Sequence, residues 1–164
     1  MAYTVTGKET FYASGNDNTG APSPALIPLS TSQITAFAPQ GGQYGTNTAT
    51  AGTTLTAANV GGAGPGIADA VYLNMTGTLA GAANAQMPTV AALVTQLPNV
   101  AAGQSYVFRV ANTSGGAFAW TVTTNTGWTL SGTVTIAQNA YRDFLITFTS
   151  LTAATLQNIG GGTF

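Results

Sequence analysis

Three runs in the second half of the chain alternate most clearly between apolar and polar positions. Tyr106, Phe108 and Val110 share one parity, as do Phe118, Trp120 and Val122, and again Phe144, Ile146 and Phe148. Successive residues of a strand point to opposite faces, so each run predicts a strand with one aromatic-rich face turned to a core. Residues 69–76 predict another strand, and residues 153–159 a last one before the Gly-rich end. Strands of this kind separated by Gly and Asn turns predict an all-β fold, an antiparallel β-sandwich of jelly-roll type. One segment has a different period. Val90, Leu93, Val94 and Leu97 recur at spacings of three and four, which predicts a short helix over 88–97. Pro88 suits its first turn and Pro98 ends it. The apolar face of this helix is expected to cover an open end of the sandwich.

The first half reads differently. Tyr3, Phe11 and Tyr12 lie in short alternating pieces, and a turn cluster at 14–20 follows. Pro22, Pro24 and Pro28 then keep the chain extended, because proline removes a donor and restricts its predecessor. Leu26, Ile27 and Leu29 sit among these prolines, with Phe37 beyond them. Apolar residues on an extended segment need a surface to lie on. These seven are therefore the candidate partner contacts of an N-terminal arm. Residues 40–66 are rich in Gly, Thr, Ala and Asn, with a possible short strand at 53–56 and a flexible loop at 61–66. The expected division is 1–66, arm and partner-contacting loops, and 67–164, the β-sandwich core. No internal repeat is visible.

Composition changes the picture at the surface. Charged residues are 4% of the chain, where ordinary domains carry about 25%. The net charge is −1. Such a surface is wettable yet lacks charge repulsion, which favours association. It suits a protein held inside an assembly or exposed to harsh extracellular conditions. Lys8, Arg109 and Arg142 are the only basic residues, too few for a phosphate-binding footprint, so nucleic acid is excluded as a partner. No cysteine is present, which rules out disulfides and thiolate metal sites. No apolar run approaches the ~18 residues a membrane helix needs. The first residues lack a basic segment followed by an apolar one, so no secretory signal is expected.

Candidate chemistry is sparse. Without histidine, the commonest general base and metal ligand is missing. Glu9, Asp17, Asp69 and Asp143 are the only carboxylates and share no motif, so no catalytic residues are assigned and the chain is not read as an enzyme. Asn16-Asp17-Asn18 looks like an oxygen-rich calcium loop but lacks the further carboxylates, and reads as an Asx-turn. No metal or cofactor is expected. Arg142 and Asp143 are adjacent and so face opposite ways; Arg142 is placed at the rim of the aromatic face, Arg109 outward. Arg142 is expected to cap the core, with pairing to Asp69 or contact with a neighbouring subunit as alternatives. Both tryptophans are read as core, with Trp128, beside Gly127, the one that can instead be exposed as a partner anchor or a sugar platform.

Residues 87–159 resemble a segment of structural proteins of tailed-bacteriophage virions. The resemblance lies in MPTVAALVTQLPN, then GQSYVFRVANTSGG, WTVT, GWTLSG and YRDFLITF. Proteins of that kind look like capsid decoration, or cement, proteins built on β-sandwiches or jelly rolls. The resemblance implies small homo-oligomers, trimers before dimers, on the outer capsid surface, where they bridge major capsid protein subunits. Such a protein is assembled in the host bacterial cytoplasm. Other readings are a tail-fibre or spike module, a carbohydrate-binding sandwich, and a secreted adhesin or surface-layer subunit that would need an export signal.

Overall fold

The computed structural model describes residues 42–63 and 67–164. The expected arm contacts Tyr3, Phe11, Tyr12, Leu26, Ile27, Leu29 and Phe37 lie outside the described residues. The elements in order are β1 (Gln43–Asn47), β2 (Thr53–Thr54), α1 (Ala57–Gly61), β3 (Ala70–Met75), β4 (Ala83–Gln86) and α2 (Val90–Gln96). They continue with β5 (Ser105–Asn112), β6 (Trp120–Thr123), β7 (Trp128–Ser131), β8 (Thr135–Ile136), β9 (Ala140–Ser150) and β10 (Ala153–Thr163). Six strands form one sheet in the order β1-β3-β5-β9-β10-β7, and four form a second in the order β2-β4-β6-β8.

The all-β expectation holds, but both sheets are mixed rather than antiparallel. β1, β3 and β5 are parallel, as are β2, β4 and β6, while β9 and β8 add antiparallel to each set. From β1 to β6 the chain alternates between the sheets, and each strand lies beside the one two places earlier. Three similar coils therefore stack, the first two of strand, turn, strand and short helix. No sequence repeat announces them. Alternation identifies a strand but not the direction of its partner, so parallel pairing was not legible in it.

Main-chain hydrogen bonds carry the stacking through the turns. Thr76 N donates to Asn47 O at 2.8 Å and Thr113 N to Met75 O at 3.0 Å. Leu79 N reaches Gly115 O at 2.9 Å, and Ala83 N reaches Ala119 O at 3.1 Å. On the far side, Leu55 N donates to Gln86 O and Met87 N to Thr123 O, at 2.7 and 2.8 Å. Residues 42–63, expected to belong with the arm and loops, are thus paired into both sheets. Short turns and small residues hid β1 and α1 there.

A short helix closes each of the first two coils. Thr56 caps α1 reciprocally with Asn59, each backbone N–H donating to the other's side chain at 3.1 Å. Thr89 caps α2 by accepting from Ala92 N at 3.1 Å, so Pro88 precedes the helix rather than opening it. Val90, Leu93 and Leu97 are fully buried, as the periodicity requires. A side chain on Gly61 would come within 2.9 Å of Leu93 Cδ1, so α1 packs closely on α2.

One buried cluster takes inward side chains from both sheets and both helices. Tyr106, Phe108, Val110, Trp120, Val122, Phe144, Ile146 and Phe148 all belong to it. Phe118 does not. It is 38% exposed because β6 begins only at Trp120, and the parity does not extend back into the turn. Asn112 is buried at the third turn, where its amide donates to Phe118 O and Ile136 O at 3.0 and 3.1 Å and its oxygen accepts from Ser114. β10 runs on through Gly160–Gly162, past residue 159, where the sequence pattern ends the last strand.

Two outcomes are expected. A Cβ on Gly77 would lie 2.1 Å from Ala49 O, whereas one on Gly81 would meet nothing within 4 Å. Gly77→Ala should therefore cost about 2–3 kcal/mol in urea denaturation, and Gly81→Ala no more than about 0.5 kcal/mol. The second concerns Tyr106, whose hydroxyl donates to Val60 O at 2.9 Å. Burial pushes its phenol well above the ordinary value of 10.0. Its folded-state pKa exceeds the unfolded one, so its contribution is full below pH 10.0 and falls as pH rises further. Tyr106→Phe should cost about 1 kcal/mol at neutral pH and flatten the loss of stability at alkaline pH, measured by denaturation across that range.

Candidate functional site

The stacking of coils lines up outward side chains across the six-stranded sheet. On β3, Val71, Leu73 and Met75 point inward, which turns Tyr72 outward. The register pairs Tyr44 with Tyr72, Tyr72 with Arg109, and Arg109 with Asp143. One row thus crosses four neighbouring strands. The adjacent row is small: Gly42 precedes β1, Ala70 opens β3, and Val107 of β5 pairs with Ala70. Together the rows form a groove of about 370 Å³, with a low floor and a tall aromatic and charged wall.

The side chains of the wall are held in place. The Tyr44 and Tyr72 rings stack with centroids 5.2 Å apart and planes 18° from parallel. Arg109 donates from Nε and Nη2 to the two oxygens of Asp143 at 2.6 and 2.8 Å, a bidentate pair. The guanidinium lies 4.2 Å from the centre of the Tyr141 ring. Tyr141 in turn meets Phe164 at 5.7 Å. The hydrogen bonds that Arg109 donates to Asp143 raise its pKa; desolvation opposes this, and the Asp143 charge adds to it. Arg109 is charged at every accessible pH. Among the described residues this is the only ion pair.

The other expectations fall as follows. Arg109 faces outward as expected. Arg142 sits at the rim of the inward face, where its Nε donates to Thr135 O at 3.2 Å; it makes no ion pair with Asp69. Trp120 is fully buried, and its indole N–H has no partner among the described residues. Trp128 is half-buried against the core and its indole donates to Pro88 O at 2.6 Å, so its ring is tied down rather than presented. Asp69 and Asp143 stand apart, with no third acid beside them: among the described residues no group of three or more His, Cys, Asp or Glu is placed to hold a metal. No described helix is long and apolar enough to cross a membrane.

Two smaller hollows offer less. One lies over Thr53, Thr54, Asn84, Gln86 and Thr123 on the four-stranded sheet, with only uncharged polar groups. The other lies beside Tyr141, Arg142 and Gly161–Thr163. The tyrosine–arginine–aspartate row was missed in the sequence because its members are far apart in the chain. Parity alone gives Tyr72 and Arg109 as outward; the register that joins them does not appear in it.

No family model matches the chain, and no curated protein or solved structure matches it either.

The Arg109–Asp143 pair is tested by a double-mutant cycle with Arg109→Met and Asp143→Asn. The Arg109 side chain is 41% exposed, so the coupling energy should be only about 0.5–1 kcal/mol and should shrink in high salt.

Proposed function

We propose that this chain is a structural protein of a bacteriophage virion that decorates the outer capsid surface and stabilises it by bridging major capsid protein subunits. The working unit is a homo-oligomer, a trimer before a dimer, assembled in the host cytoplasm. The two sheets and their common core are read as a sandwich-like body, and the chain before β1 as the part that attaches it. No catalysis, cofactor, nucleic acid or membrane enters this reading.

The observation that carries it is the surface. The described residues include only four charged ones, Asp69, Arg109, Arg142 and Asp143. Two of these neutralise each other. Meanwhile Tyr44, Leu151, Ile159 and Phe164 are 66%, 54%, 51% and 65% exposed. Covering such a surface desolvates few charges and gains apolar contact. Weak contacts of this kind, repeated over a lattice, hold firmly through avidity. The likeness of residues 87–159 to virion proteins selects the capsid as the assembly. A second reading, a tail-fibre or spike module, is favoured by the stacked coils, since stacked repeats extend readily into a shaft.

The test is co-sedimentation of the purified protein with undecorated capsids, followed by imaging of the particles. Saturable binding at symmetric shell positions, with greater resistance to heat, is the expected result. Deleting residues 1–40 should abolish that binding while far-UV circular dichroism still shows the sheets. Unchanged binding would remove the attaching role from the arm. Density on the tail alone would select the second reading, and no binding to any part of the particle would overturn both.

A further inference from the structure

We infer that the groove beside Tyr44, Tyr72, Arg109 and Asp143 is a binding site for a neutral oligosaccharide. This goes beyond capsid attachment and does not depend on it. A pyranose ring has a face of C–H groups and a rim of hydroxyls, so its site needs an apolar plane next to fixed donors and acceptors. The groove has both. The two tyrosine rings stack on each other, so the plane is the outer face of Tyr44, which is 66% exposed on the edge strand. The ion pair supplies the polar partners. Arg109 uses two of its five N–H groups on Asp143, which leaves three to donate, and each carboxylate oxygen retains a lone pair to accept.

Three further points narrow the ligand. Arg109 is clamped between Asp143 and the Tyr141 ring, so binding orders no long side chain and loses little entropy. The pair is neutral as a whole. A free arginine would select phosphate or another anion; an arginine already satisfied by a carboxylate selects an uncharged hydroxyl-bearing ligand. The wall spans four strands, about 14 Å at the usual strand spacing, the length of a short oligosaccharide lying across the strands. The Gly42, Ala70 and Val107 floor leaves room for it.

Stability alone does not account for these residues. A pair whose arginine is 41% exposed contributes little to folding. A tyrosine 66% exposed at a sheet edge buries little area. Yet the one ion pair among the described residues of a chain so poor in charge stands at the end of an exposed aromatic stack.

The test uses the full-length protein and four probes: maltotetraose, cellotetraose, chitotetraose and, as an anionic control, 3′-sialyllactose. Saturation-transfer NMR and titration calorimetry should show saturable binding of at least one neutral probe and weaker binding of the sialylated one. Tyr44→Ala and Asp143→Asn should each lower that affinity about tenfold, near 1.4 kcal/mol. Thr129→Ala, on the opposite edge strand, should leave it unchanged. The inference is overturned if no neutral probe binds saturably, if the sialylated probe binds best, or if both groove variants bind as the parent does. Near-UV circular dichroism of each variant verifies the fold. Capsid co-sedimentation of Tyr44→Ala keeps the two proposals separable: loss of sugar binding with capsid binding intact is the expected pairing.

Discussion

The hydrogen-bonded rung between one coil and the next is what the rest of this structure depends on. Parallel strands cannot be joined by a tight hairpin, so the chain must leave the sheet, cross, and return one spacing higher. Here β2 and α1, then β4 and α2, provide those crossings. The second and third coils keep step throughout. Met75 pairs with Asn112 before the turn and Ala83 with Trp120 after it, the same offset on both sides. A one-residue slip of β6 on β4 would turn its buried side chains, Trp120 and Val122, to the wrong face. Residues at the turns answer that constraint: Gly77 lets one backbone pass against another, and Asn112, at the end of β5, donates its amide to the carbonyls of Phe118 and Ile136.

With the backbone satisfied in this way, the chain has little need of charge. Polar groups in the turns and caps are met by Thr, Asn, Ser and Gln, whose side chains bond locally without the desolvation that ions incur. Interior polarity is limited to groups with partners, such as Asn112, and to the indole of Trp120, whose N–H lies unpaired among the described residues. A fold held by rungs and an apolar cluster can leave its surface almost neutral. That neutrality lowers the desolvation cost of any contact the surface makes.

Much of the core was legible in the chain because burial imposes a period. Phe108, Phe144 and their neighbours alternate over whole strands, and Val90, Leu93 and Leu97 follow the helical spacing. Phe118 shows the limit, since parity holds only as far as the strand does. Gln43–Asn47 shows another. A five-residue strand containing Gly45, with Tyr44 outward, has almost no apolar face and reads as loop. Its place comes from pairing with β3, a tertiary fact. The groove was illegible for the same reason, because residues from four strands meet only once the register is set.

The same stacking explains why a groove arises here at all. When similar coils pile up in parallel, equivalent positions form straight rows running across the strands. A row of small residues beside a row of large ones is then a groove, with no loop or insertion needed to build it. Gly42, Ala70 and Val107 form the low row, and Tyr44, Tyr72 and Arg109 the high one. The antiparallel strand β9 ends the parallel series, and it does so with Asp143, which neutralises the arginine. Beyond β9 the register sets Asp143 against Gly160 of β10, so the row of large side chains stops there, with its arginine beside a carboxylate. The length of the row and the neutrality of its charged end both follow from the register, whatever ligand the groove accepts.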